Sequence, residues 1–218
     1  PQLQGYNNAI PVVKEQSKTA FSTGNNFFIK NKQDLWELYV EGDPLERGLA
    51  TGSLTDSLLK KQQKVFFDKI NELLPSKFKQ KTLKTFLKWY GRKLSHHVPD
   101  EYKTEIYGIS EYSSHDFDNI APRYLRSLYL HASHDIGHAL QDLALVGCSS
   151  FSAWGEKSED GNLILVRNFD FYAGDDFAKD KIVAFVNPKE GHPFMMVTWA
   201  GMIGAVSGMN NEGVTVTI

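Results

Sequence analysis

The chain has 218 residues, enough for one large domain or two small ones, and its 41% apolar and 23% charged content is ordinary for a globular protein. A net charge of −2 argues against a nucleic-acid-binding surface as its main business, and a single cysteine excludes an intrachain disulfide framework and a multi-cysteine zinc site. No apolar run approaches the ~20 residues that span a bilayer, so no integral membrane segment is expected.

Residues 1–25 read as polar and irregular. Phe27–Ile29 and Leu35–Val40 are rich in β-formers and predict two short strands. Gly42 then punctuates the chain, and Asp43 followed by Pro44 suits an N-cap and the first position of a helix. Leu59, Phe66, Ile70 and Leu73 fall at helical spacing, as do Leu83, Phe86, Leu87, Tyr90 and Leu94, with Pro75 and Pro99 marking breaks. The clearest helix begins near Pro122, where Leu125, Leu128, Ala132, Ile136, Ala139 and Leu143 form one apolar stripe.

Near residue 147 the text changes from helical periodicity to strands and glycine-containing turns. Cys148–Trp154 and Leu163–Phe169 predict two strands, joined by a tight turn at Asp160-Gly161. Further strands are expected at Ile182–Val186, Phe194–Trp199, Ile203–Ser207 and Val214–Ile218, in an antiparallel meander. The last ends with no exit turn, an expectation that the natural chain continues. The first residue is Pro1 and not Met; a removed export signal and a trimmed tag explain this equally, and an exported or periplasmic location is the slightly favoured expectation.

The chemistry concentrates at Gly147-Cys148-Ser149-Ser150-Phe151. A glycine gives the carbonyl before Cys148 little steric cover, so the thiol can attack it in an N→S acyl shift, and hydrolysis then splits the chain at Gly147–Cys148. The α-amine so released, with a reference pKa of about 7.7–8.0, is suited to act as general base for its own thiol. The opposite strand carries Arg167 and Asp170, candidates to favour the thiolate and to orient the amine. Lying three apart, they fall on opposite faces of an ideal strand. Both face the thiol only if a bulge intervenes or Asp170 lies past the strand end.

These residues resemble the nucleophile hairpin of the cysteine N-terminal-nucleophile (Ntn) hydrolases, a group that includes bile-salt hydrolases, penicillin V acylases, acid-ceramidase-like enzymes and the isopenicillin-N acyltransferase family. Gly42-Asp43-Pro44-Leu45-Glu46-Arg47-Gly48 resembles a G-x-P-x-E-x-G segment of the acyltransferase family's pro-region. Thr198 to Gly204 with Ser207 to Gly213 resembles its later strand pair. The resemblance spans roughly residues 35–218. It implies an α+β αββα sandwich, with residues 1–147 as a helix-rich pro-segment and 148–218 as the start of the catalytic domain. It further implies self-cleavage at Gly147–Cys148, Cys148 as nucleophile, Asp170 and Arg167 as its partners, no cofactor, and a small-molecule linear amide as substrate. The two cleavage fragments would stay together, and a homo-oligomer is possible. Asn210 and Asn211 are candidates for the family's oxyanion asparagine, as is a residue after Ile218. The rival reading is a catalytically silent or uncleaved binding protein that keeps the precursor fold.

Other clusters have plainer explanations. His131, His134 and His138 share one helix face with zinc-compatible chemistry, yet a solvated or interface face accounts for them without metal. Lys77, Lys81, Lys84, Lys88 and Arg92 form a basic stripe opposite an apolar one, read as a solvated face rather than a lipid contact. Asp175, Asp176 and Asp180 lack the spacing and closing glutamate of an EF-hand and read as a solvent loop.

Overall fold

A computed structural model describes residues 3–73, 75–76, 85, 94–132, 146–171 and 175–217. Its main feature is an eight-stranded sheet in the order β1 (Lys14–Ser17), β2 (Ala20–Thr23), β3 (Asn26–Lys30), β4 (Trp36–Gly42), β7 (Ile182–Pro188), β8 (Phe194–Thr198), β9 (Ser207–Asn210) and β10 (Thr215–Thr217). The strands between β4 and β7 in sequence, β5 (Val146–Gly155) and β6 (Gly161–Phe171), form a separate two-stranded ladder. The sheet therefore takes strands from both sides of residue 147. Its four N-terminal strands come from the segment read as helix-rich, and two of them lie where an irregular stretch was expected. β1 and β2 escape a pattern search because β1, Lys-Glu-Gln-Ser, is fully polar and exposed and gains its place from pairing alone.

The two halves join at β4 and β7, which pair in parallel, whereas the other paired strands are antiparallel. A parallel pair requires a crossover connection. Here the crossover is the whole of residues 43–181, which places the helices and the β5–β6 hairpin between the paired strands in sequence. Register and pleat agree along this seam: Trp36, Leu38 and Val40 stand opposite Ile182, Ala184 and Val186, and all six are buried. They meet Ala50, Leu54, Leu59 and Ile109 from the helices in one core.

The helices are α1 (Pro44–Leu54), α2 (Asp56–Leu73), α3 (Asp100–Ser110), α4 (Arg123–His131) and the single turn α5 (Asp175–Ala178). The start of α1 follows the sequence reading. Asp43 accepts from the backbone N–H groups of Leu45 and Glu46, and Glu46 Oε2 accepts from Asp43 N–H at 3.1 Å, completing a capping box with Pro44 behind it. α1 crosses α3 at Gly48 and Gly108, where a Cβ on Gly48 would stand 2.2 Å from Glu105 O. Arg47 and Glu105 close the same crossing with a buried ion pair of 2.6 Å.

Two expectations need correction. Residues 203–206 form no strand; they connect β8 to β9, which begins at Ser207. The reversal between β5 and β6 is not a two-residue Asp160-Gly161 turn but the longer stretch 156–160, because Gly155 itself turns with φ +59° and Gly161 already pairs with it. The helix expected through Leu83, Phe86, Leu87 and Tyr90, its basic stripe, and the Ile136, Ala139 and Leu143 part of the apolar stripe lie outside the described residues. No helix among the described residues is long and apolar enough to cross a membrane.

Candidate active site

Cys148 lies on β5 and is exposed. The ladder pairs it with Phe169, and pairs Gly147 with Asp170, Ser149 with Asn168 and Ser150 with Arg167. Register runs unbroken from Val146 to Ala153, with its one irregularity between Ala153 and Gly155. No bulge therefore separates Arg167 from Asp170, and β6 extends beyond Asp170 to Phe171. Alternation decides the rest. Cys148, Phe169 and Arg167 share one face of the hairpin, and Asp170 lies on the other.

The two faces have different surroundings. Leu165, Arg167 and Phe169 are partly buried, while Ile164, Val166, Asn168 and Asp170 are exposed. The thiol's face is the one turned toward the large sheet: Arg167 Nη1 donates to Val206 O at 2.5 Å and to Ser207 Oγ at 3.1 Å, and Phe169 packs 5.6 Å from the Trp199 ring. The guanidinium also lies over the Phe169 ring, 4.1 Å from its centre. Its remaining edge is unusual. Arg167 Nε and Nη2 are both buried, and neither has a hydrogen-bond partner among the described residues. That edge is the fork a guanidinium uses for bidentate recognition of an anion or a carbonyl oxygen.

Asp170 accepts from Asn168 Nδ2 at 3.0 Å on the outer face. Its side chain does not meet the thiol's face, yet its register partner is Gly147, so its backbone runs alongside the Gly147–Cys148 peptide. The asparagine candidates serve the turn after β9: Asn210 Oδ1 accepts from the N–H groups of Glu212 and Val214, and Asn211 N–H donates to Pro193 O.

His131 is not a solvated residue. Its Nε2 accepts from Ile203 N–H at 3.0 Å and its Nδ1 lies 2.7 Å from Ser127 O, so the ring is the neutral Nδ1–H tautomer tying α4 to the strand connection. Burial pushes its pKa below the usual histidine value, and the Ser127 carbonyl opposes that only in part. His134 and His138 lie outside the described residues, among which no group of three potential metal ligands occurs. The stretch read as a solvent loop is not one: Asp175 and Asp176 open the turn α5, where Asp176 pairs with Lys179, and Asp180 is partly buried, pairs with Lys61 and accepts from Trp36 Nε1.

A depressed histidine pKa fixes a sign. The unfolded chain takes up a proton at about 6.5, and the folded one only at lower pH, so His131's contribution is complete above ~6.5 and is lost as pH falls toward the folded value. His131→Phe should cost about 1–2 kcal/mol at pH 7.5 for two lost hydrogen bonds, and the gap to wild type should narrow on acidification. Thermal melts at pH 7.5, 6.0 and 5.0 check it; a constant gap would remove the assignment.

Sequence reading missed Gln62, Trp199 and Phe169, which line a cavity beside this hairpin. Trp199 begins the turn Trp199-Ala200-Gly201-Met202, closed by Met202 N–H to Trp199 O, with Gly201 at φ +81° against Leu59. The glycine was visible as punctuation; its neighbour's indole was not visible as a cavity wall.

No protein-family model matches the chain. It is similar to an uncharacterized protein of Archaeoglobus fulgidus, 24% identical across 82% of this chain and 32% of that protein. It is also similar to Protein dcd1B of Dictyostelium discoideum, 25% identical across 93% of this chain and 42% of that protein. The chain thus spans well under half the length of these relatives.

Proposed function

We propose that this chain belongs to a cysteine Ntn amidohydrolase or acyltransferase precursor, activated by cleavage at Gly147–Cys148 and acting on linear amides, with its sheet and hairpin forming part of an αββα sandwich. One observation carries the reading. An accessible cysteine, preceded by glycine, shares a hairpin face with an arginine whose fork edge is buried without a partner among the described residues. An unpaired buried guanidinium edge is costly unless something negative joins it. A thiolate, or the oxyanion formed when it attacks a carbonyl, is such a group.

In the activating step the Cys148 thiol adds to the Gly147 carbonyl and the C–N bond breaks, its nitrogen keeping its own hydrogen and taking up the proton that leaves the thiol to become the new α-amine. Water then hydrolyses the thioester, leaving a carboxylate on Gly147. Two described pairs, Val146–Phe171 and Gly147–Asp170, lie on the Gly147 side of the scissile peptide. Once free, the Cys148 nitrogen can rotate toward Asp170, whose register neighbour it adjoins; this supplies the reorientation that the uncut strand forbids. In turnover the thiolate attacks the substrate carbonyl, the leaving amine takes its proton from the α-ammonium, and water or a second amine resolves the thioester.

The test is intact mass with N-terminal sequencing of full-length protein, followed by alkylation with iodoacetamide. A fragment beginning at Cys148 that is alkylated there supports the proposal. An uncut chain with an inert Cys148 overturns it in favour of a silent binding protein.

A further inference from the structure

Among the described residues one cavity is bounded by α2, α4, α5, β6 and the Trp199–Met202 turn, and encloses about 70 Å³. That is several times the ~10–15 Å³ a single water needs. Its walls are mainly apolar, with Leu59, Phe66, Phe169 and Phe177 among them, and no carboxylate, lysine or arginine is among the described residues that line it. Phe177 stacks on Trp199 at 5.5 Å, which fixes the indole in place. Of the polar residues that line it, Gln63, Ser127 and His131 are hydrogen-bonded elsewhere, whereas Gln62 and Trp199, 5% and 7% exposed, bury Oε1 and Nε1 with no hydrogen-bond partner among the described residues. Gln62 is held at its other end, where Nε2 donates to Lys179 O at 3.5 Å, so its oxygen has a fixed direction.

An acceptor and a donor left unpaired in a mainly apolar enclosure are each destabilising. A structure retains such a pair where something fills the space and satisfies both. We propose that this cavity is a binding site for a neutral, mainly apolar molecule that presents a hydrogen-bond donor to Gln62 and an acceptor to Trp199, the chemistry of a small secondary amide or an alcohol. The described lining offers no carboxylate, lysine or arginine to pair with a charge, which disfavours a carboxylate or an ammonium. The enclosed volume suits a compact branched or cyclic group, with any longer portion lying toward the open side. The site does not depend on Cys148 being a nucleophile.

The experiment uses full-length protein and two probes, N-methylisobutyramide and isobutanol, with isobutyrate as the charged control. Binding is followed by the indole N–H resonance of Trp199, identified by its loss in Trp199→Phe, and by calorimetry. Saturable binding of either neutral probe supports the proposal, and the stronger of the two names the ligand class. Gln62→Leu and Trp199→Phe should each weaken that binding about fivefold, the value of one lost neutral hydrogen bond. Cys148→Ala should bind as wild type, so failure of the cavity and failure of the nucleophile are read separately. No saturable binding of either neutral probe, equal binding of isobutyrate, or affinity unchanged in both cavity variants would overturn it.

Discussion

Cys148→Ala is expected to leave full-length protein uncut at Gly147–Cys148 and to lower amide turnover by roughly 10⁴-fold or more, since a covalent mechanism without its nucleophile keeps only binding and oxyanion contributions. The side chain is exposed on a regular ladder, so its loss should change stability by no more than about 0.5 kcal/mol. Lost function at unchanged melting temperature separates chemistry from unfolding. Cys148→Ser should fall between the two, because a hydroxyl keeps the geometry but is a weaker nucleophile. Arg167→Lys gives a sharper reading of the partner. It keeps the charge but removes the fork, and with it one of the contacts to Val206 and Ser207. Full cleavage and turnover in Cys148→Ala would end the enzyme reading outright.

How much of this was legible in the sequence depends on whether a residue's role is local. The helix start at Asp43-Pro44 was legible because capping needs only near neighbours. β4, β7 and the two hairpin strands were legible from side-chain type, since each has enough apolar residues to declare itself. The pairing of β4 with β7 was not, because parallel partners separated by residues 43–181 leave no local trace. The outcome at the hairpin is mixed for the same reason. Strict alternation set Arg167 and Asp170 on opposite faces, as the spacing of three dictates, but which face met the large sheet depended on Val206 and Trp199. For His131, a solvated face and an interface face are equally open to the sequence, because the partner that decides between them, Ile203 N–H, is 72 residues away.

The G-x-P-x-E-x-G stretch shows the same division. Gly42 sits at φ +106°, where a side chain would collide with Glu46, and Pro44 and Glu46 complete the cap. Arg47 and Gly48 do something the local pattern could not reveal: they form the crossing with α3.

That crossing yields the largest expected stability effect. Arg47 Nη2 and Nε both donate to Glu105 Oε2, at 2.6 and 3.2 Å, and Arg47 Nη1 donates to Gly42 O at 2.9 Å. Both side chains are buried, and burial raises the Glu105 pKa even though Arg47 opposes it. Arg47→Met is expected to destabilise the protein by about 3–5 kcal/mol, because it strands a buried carboxylate. The pH dependence follows from the raised value. Below the unfolded carboxylate pKa of about 4.3 both states hold the proton and the penalty vanishes. As pH rises through the interval up to the folded value, only the unfolded state ionises freely, and the penalty grows to a plateau. The Arg47→Met deficit in urea melts should therefore be smaller at pH 4 than at pH 8. Adding Glu105→Leu should recover most of the loss, since a fully apolar pair leaves no charge unpaired. Recovery is expected to be incomplete, as Gly48 lies against the Glu105 backbone and leaves no room for the helices to shift. A deficit that is flat with pH, or a double variant as unstable as the single one, would mean that the crossing is held by packing and not by the ion pair.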